Sequence, residues 1–157
     1  QFKIRRDGRN VDFTVENGYA KVEGDFQKAC LDISFEAPAQ FVHANPQVRA
    51  DSGKTALVKG PLVYCLEETD NGSNLASAFI QSDQEIQEVY EKKLLGGCMV
   101  LKVPGKKISE EGWDGQTLYR RGGPPVLEET ELTFIPYGYW GNREKGEMLV
   151  WIKELLR

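Results

Sequence analysis

Two turn-forming pairs, Asp7-Gly8 and Asn17-Gly18, cut the start of the chain into short runs in which apolar and polar side chains alternate. That punctuated alternation limits the fold more than any other feature. Phe2 and Ile4 alternate with charged residues ahead of the first pair, and Val11, Phe13 and Val15 with polar residues ahead of the second. A period of two places successive side chains on opposite faces of a strand. Asp or Asn followed by Gly accepts the positive φ of a tight hairpin turn. Tyr19 to Val22 reads as another short strand. Leu31, Ile33 and Phe35 form a further one, with Asp32, Ser34 and Glu36 on its opposite face and Pro38 closing the block.

From Ala37 onward the apolar runs lengthen, as expected where a sheet is covered on both sides. Strands are predicted at Phe41 to His43, Thr55 to Lys59, Leu62 to Glu67, Ala78 to Gln81, Cys98 to Val103, Thr117 to Arg121, Thr130 to Pro136 and Glu147 to Ile152. Residues 84–95 fit either a helix, through Ile86, Val89 and Tyr90 at spacings of three and four, or an edge strand. Asp70 to Asn74 is a turn cluster, Pro104 to Gly115 a charged loop, and Gly122-Gly123-Pro124-Pro125 a hinge between strands. The expectation is an all-β fold, an antiparallel β-sandwich with jelly-roll-like spacing and at most one short helix. With no internal repeat, solenoids and propellers are disfavoured.

A chain of 157 residues, 40% of them hydrophobic, buries one ordinary core. Its 20 basic and 24 acidic residues are spread along the sequence and leave a net charge of -4, so nucleic acid is not an expected partner. No apolar run approaches the roughly 20 residues needed to cross a bilayer, and the expectation is a soluble protein, cytoplasmic or periplasmic in a bacterium. The chain begins at Gln1 rather than Met, which suits a fragment of a longer product. Cys30, Cys65 and Cys98 stand at wide spacings, an odd number that cannot form a closed disulfide set. Their neighbours suggest burial. Cys65 lies within Leu62-Val63-Tyr64-Cys65-Leu66 and Cys98 beside Met99-Val100-Leu101, where a thiol acts as a small apolar filler.

Residues able to carry chemistry are sparse. His43 is the sole histidine, with no second one to build a metal cluster, and reads as a strand-end residue satisfied by backbone. Glu67, Glu68 and Asp70 form one acidic group and Glu128, Glu129 and Glu131 another. Two carboxylates about 5 to 10 Å apart can hydrolyse a glycoside. Neighbours along a strand point to opposite faces, so these runs read as solvated surface rather than as a converging pair. Arg49, Asp51 and Lys54 read as an ion pair pinning their loop. The aromatic run Tyr137-Gly138-Tyr139-Trp140-Gly141-Asn142-Arg143 either closes the core or offers rings beside Asn and Arg that stack on sugar faces. On the second reading Trp113, Tyr137, Tyr139, Trp140, Asn142 and Arg143 are the candidate carbohydrate contacts. No catalytic, cofactor-binding or metal-ligating residue is assigned.

The segment from Ala44-Asn45-Pro46-Gln47-Val48-Arg49 through Gly60-Pro61-Leu62-Val63-Tyr64-Cys65-Leu66-Glu67 resembles the C-terminal region of glycoside hydrolase family 127, the group that includes the β-L-arabinofuranosidases. Phe134-Ile135-Pro136-Tyr137-Gly138-Tyr139-Trp140-Gly141-Asn142-Arg143, followed by Gly146-Glu147-Met148-Leu149-Val150-Trp151-Ile152, resembles the way chains of that family end. Asn17 to Val22 and Leu31 to Phe35 resemble the strands just before the first block. The resemblance implies that residues 37–157 are the C-terminal β-sandwich domain and 1–36 the terminal strands of a preceding sandwich. It also implies a non-catalytic accessory role beside a helical (α/α)6 barrel that carries a cysteine nucleophile and zinc. The family's adjacent cysteine pair has no counterpart here, so no site residue transfers, and no cofactor is expected in this chain. The implied partners are the catalytic barrel and a second copy in a homodimer. The alternative is a carbohydrate-binding module that contacts plant glycans through exposed aromatics.

Overall fold

The structure, a computed structural model, describes residues 2–155. The chain divides into two compact units, residues 1–38 and 39–157. In the first, β1 (Phe2–Arg6) pairs on one side with β2 (Arg9–Asn10) and on the other with β5 (Leu31–Phe35), while β3 (Thr14–Glu16) and β4 (Tyr19–Lys21) form a separate hairpin. The two Asx-Gly pairs turn as the sequence predicts. Asp7 and Gly8 have φ of 50° and 78°, and Asn17 and Gly18 have 51° and 82°, both residues positive as a two-residue hairpin loop of this hand requires. The alternating run before Asn17 breaks into β2 and β3 rather than forming one strand. Ile4 is buried and Phe2 stacks on Phe13, yet Ile33, Phe35 and Tyr19 are exposed. Cys30, expected in a core, is also exposed, because it lies in the loop ahead of β5 with its N–H held by the Asp7 carboxylate.

The second unit contains β6 (Ala39–His43), β7 (Lys54–Lys59), β8 (Leu62–Glu67), β9 (Ala78–Ile80), β10 (Gln87–Glu91), β11 (Cys98–Ile108), β12 (Leu127–Pro136), β13 (Met148–Leu149) and β14 (Ile152–Glu154). Its helical content is one four-residue α-helix, α1 (Glu68–Asn71), and short 3-10 turns. The all-β expectation holds. Pairings run β7–β8–β12–β11–β9–β14 and return to β7, so the sheet closes on itself as a small barrel, with β6, β10 and β13 added outside the ring. Closure removes open edges from the ring itself and leaves them on the short added strands β6, β10 and β13. All pairs are antiparallel except β9–β14, which is parallel because the chain's last strand slots between β9 and β7.

Alternation along the strands fills the ring. Tyr64 and Leu66 of β8, Leu101 and Val103 of β11, and Leu132 and Phe134 of β12 point inward with Leu57, Leu75, Ile80 and Ile152, all essentially without solvent exposure. The intervening residues Cys65, Cys98, Val100 and Ile135 form a second apolar layer, covered by Val89, Leu94, Leu95, Met148 and Val150. Gly105 marks a tight point within the ring. A β-carbon there would stand 2.6 Å from Leu132 Cδ1 and 2.8 Å from the Phe79 carbonyl oxygen.

One open alternative is resolved and three expected elements differ. Residues 84–95 contain edge strand β10 and a 3-10 turn, resolving the helix-or-strand alternative for the strand. Strand β11 runs through Pro104 to Ile108, where a loop was expected. It does so because β10 pairs with it only up to Lys102 and β9 only from Gly105, so the residue without an N–H falls between two partners. Residues 117–121 form no strand and belong to the long loop between β11 and β12, whose base is tied by the Ser109 N–H to the Val126 carbonyl at 2.9 Å. The apolar run 147–152 splits into β13 and β14, which serve different partners. Among the described residues no helix is long and apolar enough to cross a membrane, which leaves β-barrel insertion unaddressed.

Candidate functional site

The most elaborate polar cluster sits where β8 ends. Glu67 is the last residue of the strand, and the chain then enters α1, which places Asp70 three residues on and on the same side. Both carboxylates converge on Arg143, in the loop after β12. Arg143 Nη1 donates to Asp70 Oδ1 at 2.7 Å, Nη2 reaches Asp70 Oδ2 and Glu67 Oε2, and Nε donates to Glu67 Oε2 at 3.2 Å. Glu67 Oε1 accepts the Gly141 N–H at 2.8 Å. The Glu67 side chain is 4% exposed and that of Arg143 18%.

The solvated-surface expectation is therefore overturned for Glu67 and Asp70. Strand alternation was carried one residue too far, whereas a helical turn brings positions three apart together. The spacing Glu67-x-x-Asp70 was the available signal. The chemistry of the cluster is that of a clamp: two acids bracket one guanidinium, which is held even further above its already high ordinary range by the bond to Asp70 above all. Neighbouring bonds continue the clamp. Glu68 Oε2 accepts the Glu147 N–H at 2.8 Å, Glu147 Oε2 accepts the Leu75 N–H at 2.6 Å, and Asn71 bridges Glu67 and Thr133 backbone groups.

The aromatic run is the segment so clamped. Tyr137–Tyr139 form a 3-10 turn, the Trp140 N–H returns to the Tyr137 carbonyl, and Asn142 Nδ2 donates to the Tyr139 carbonyl at 3.0 Å. Tyr137 and Trp140 stack with ring centroids 6.2 Å apart and planes 18° from parallel. Tyr137, Tyr139 and Trp140 are each about half exposed. Trp113 is not part of this group. It lies in the β11–β12 loop, with the Arg120 guanidinium 4.3 Å from its ring centre, and lines a groove to which none of residues 137–143 contributes.

The remaining candidates have structural partners. His43 Nε2 lies 2.9 Å from Glu154 Oε2, whose other oxygen is bonded by Ser82 Oγ, so its partner is a carboxylate rather than the expected backbone. Lys54 donates to the Ala50 carbonyl at 2.8 Å, in place of the ion pair expected of Arg49, Asp51 and Lys54. Glu129 and Glu131 pair with Lys106 and Lys102 across β11 and β12 on an exposed face. Burial, with Glu67 and Asp70 nearby, pushes the Cys65 thiol up to about 12, far from a nucleophile's or metal ligand's thiolate. Among the described residues no three His, Cys, Asp or Glu side chains converge to hold a metal ion.

The described residues of the second unit thus form a small, closed β-barrel whose loops are clamped by side chains. Residues 39–153 match the glycoside hydrolase family 127 C-terminal domain, and the chain belongs to that family. Over 157 residues it is 30% identical to the non-reducing end β-L-arabinofuranosidase of Bifidobacterium longum subsp. longum, covering 95% of this chain and 23% of that enzyme. Its fold superposes with a TM-score of 0.82 on the crystal structure of a family 127 β-L-arabinofuranosidase from Geobacillus stearothermophilus T6, at 36% identity over 99% of this chain and 25% of the other. A second family 127 β-arabinofuranosidase gives the same TM-score at 28% identity, over 99% of this chain and 23% of that one. The chain thus spans about a quarter of the length of these relatives.

Proposed function

We propose that this chain is a non-catalytic accessory β-domain of an arabinofuranosidase-like glycoside hydrolase, whose reaction is carried out on a helical (α/α)6 barrel elsewhere in the parent protein. Zinc and the cysteine nucleophile belong, on this reading, to that barrel. Residues 1–36 are, on the same reading, the terminal strands of a preceding sandwich, and a homodimer contact is a second role. One observation carries the reading. The best-placed acids, Glu67 and Asp70, are both bound to Arg143, and Glu67 also accepts the Gly141 N–H, so both are engaged in holding a loop. In the commonest glycosidase mechanism two carboxyl groups face one bond, and these two face a guanidinium instead.

The role that remains is mechanical: to cover the barrel and stabilise it. Deleting the corresponding quarter of the Geobacillus relative is expected to lower its thermal midpoint and soluble yield while leaving KM in the surviving folded enzyme unchanged. A deletion protein of full thermal stability that has lost kcat overturns the proposal. A second reading, glycan contact through exposed rings, is favoured by the placement of Trp113.

A further inference from the structure

The loop between β11 and β12 spans residues 109–126, longer than connections that serve only to join strands, and such loops usually carry function. It is built rather than slack. Asp114 Oδ1 accepts the N–H groups of Gln116 and Thr117 at 2.9 and 2.5 Å, and its Oδ2 accepts Thr117 Oγ1 at 2.8 Å. Those three bonds hold the Asp114 carboxylate below the usual range. Arg120 donates to the Gly112 carbonyl at 3.3 Å while stacking on Trp113.

This scaffolding stands Trp113 as a partition between two grooves. The groove of about 400 Å³ contains Arg120 in its wall, so the guanidinium occupies that side of the indole. The other, about 590 Å³, is lined by Trp113, Asn74, Glu110, Thr117, Leu118 and Lys153 among others and does not include Arg120, so the ring on that side is free to be covered. Ligand sites fall in the range of about 300–1,000 Å³. The lining mixes one large ring, an amide, three hydroxyls, two carboxylates and an ammonium. Lys153 uses one N–H on the Ala76 carbonyl at 2.7 Å, and Asn74 leans on Glu110 at 3.4 Å, which leaves donors and acceptors of both kinds facing the space. Asp114 is committed to Gln116 and Thr117, which leaves Glu110 and Lys153 as opposed charges that favour neither an anion nor a cation. A neutral polyol with one apolar face satisfies all of these groups, with its C–H face on the indole and its hydroxyls on the rim.

We propose that the Trp113 groove is a saccharide-binding site, and that its ligand is an arabinose-containing oligosaccharide, holding glycan near the parent enzyme without taking part in hydrolysis. The ligand class rests on the proposed attachment to an arabinofuranosidase; the groove itself does not.

The test is a titration of the 157-residue chain with arabinan-derived oligosaccharides, and in parallel with xylo-oligosaccharides, following the indole N–H resonances of Trp113, Trp140 and Trp151 by NMR. A saturable shift of the Trp113 resonance with the arabinose series, weakened at least tenfold by Asn74→Ala and unchanged by Trp140→Ala, is expected. Trp113→Ala assigns the resonance. No saturable shift with either series, or one confined to Trp140, overturns the groove and leaves the accessory role standing, since that role fails only on its own deletion and turnover tests. A shift with the xylose series alone overturns the ligand class.

Discussion

At the scale of single residues, Glu67 is the side chain on which most depends. It sits nearly without solvent exposure and holds both the Arg143 guanidinium and the Gly141 N–H. Removing one member of a buried charge pair leaves its partners stranded, at a cost of about 3–5 kcal/mol. Asp70 still holds Arg143 after Glu67→Ala, so the expected loss is about 2–4 kcal/mol, read as a lower urea midpoint with unchanged slope. A loss below about 0.5 kcal/mol contradicts the clamp, being the size of an ordinary surface change. The cysteines give a second residue-scale prediction. Burial raises Cys65 and Cys98, while Cys30 is exposed, so an aromatic disulfide reagent is expected to react with one thiol in the native chain and with all three after denaturation. Rapid native labelling of Cys65 contradicts the packed outer layer. The sequence disclosed the apolar surroundings of Cys65 and Cys98 but not the exposure of Cys30. Its loop position depends on Asp7, twenty-three positions away, and local pattern does not encode such a contact.

At the scale of elements, strand existence was legible wherever a strand's alternation matched its burial. Strand β8 falls at its predicted residues because Tyr64 and Leu66 face one core and Cys65 the other. Boundaries failed where partners decide them. Pro104 continues β11 because neither β10 nor β9 asks for its N–H, and only three-dimensional pairing reveals this. The candidate site was half legible: the exposed rings were in the sequence, while the clamp beneath them joins residues more than seventy positions apart. Gly105 gives the packing prediction. A methyl group there meets the Phe79 carbonyl as well as a movable leucine, so Gly105→Ala is expected to cost about 1–3 kcal/mol. Strand β10 gives the pH prediction. Glu88 is bonded by Lys59 at 2.5 Å and by the Ala39 N–H at 2.8 Å, which together hold its carboxyl below the ordinary carboxylate range. A lowered folded-state value means stability present above the unfolded value of about 4.3 and lost as the pH falls through the folded one. The thermal midpoint of the wild type is therefore expected to exceed that of Glu88→Gln at neutral pH, and the gap to close as the pH drops below about 4. A gap constant with pH contradicts this role.

At the scale of the whole molecule, the core of residues 39–157 is drawn entirely from that unit, whereas residues 1–38 leave Tyr19, Ile33 and Phe35 open to solvent. Below about 40 residues a chain seldom folds without outside support. A fragment of residues 39–157 is accordingly expected to keep the main unfolding midpoint of the full chain and to bind less of a hydrophobic dye. The residues that match the family domain, 39–153, fall inside the second unit. The central claim is that this barrel supports catalysis done elsewhere, and the most direct measurement is turnover of an aryl β-L-arabinofuranoside by the purified 157-residue chain, with and without added zinc. The account predicts no hydrolysis above the buffer rate in either case; hydrolysis that follows the chain through purification and falls on substitution of Glu67 or Asp70 by the amide would contradict it.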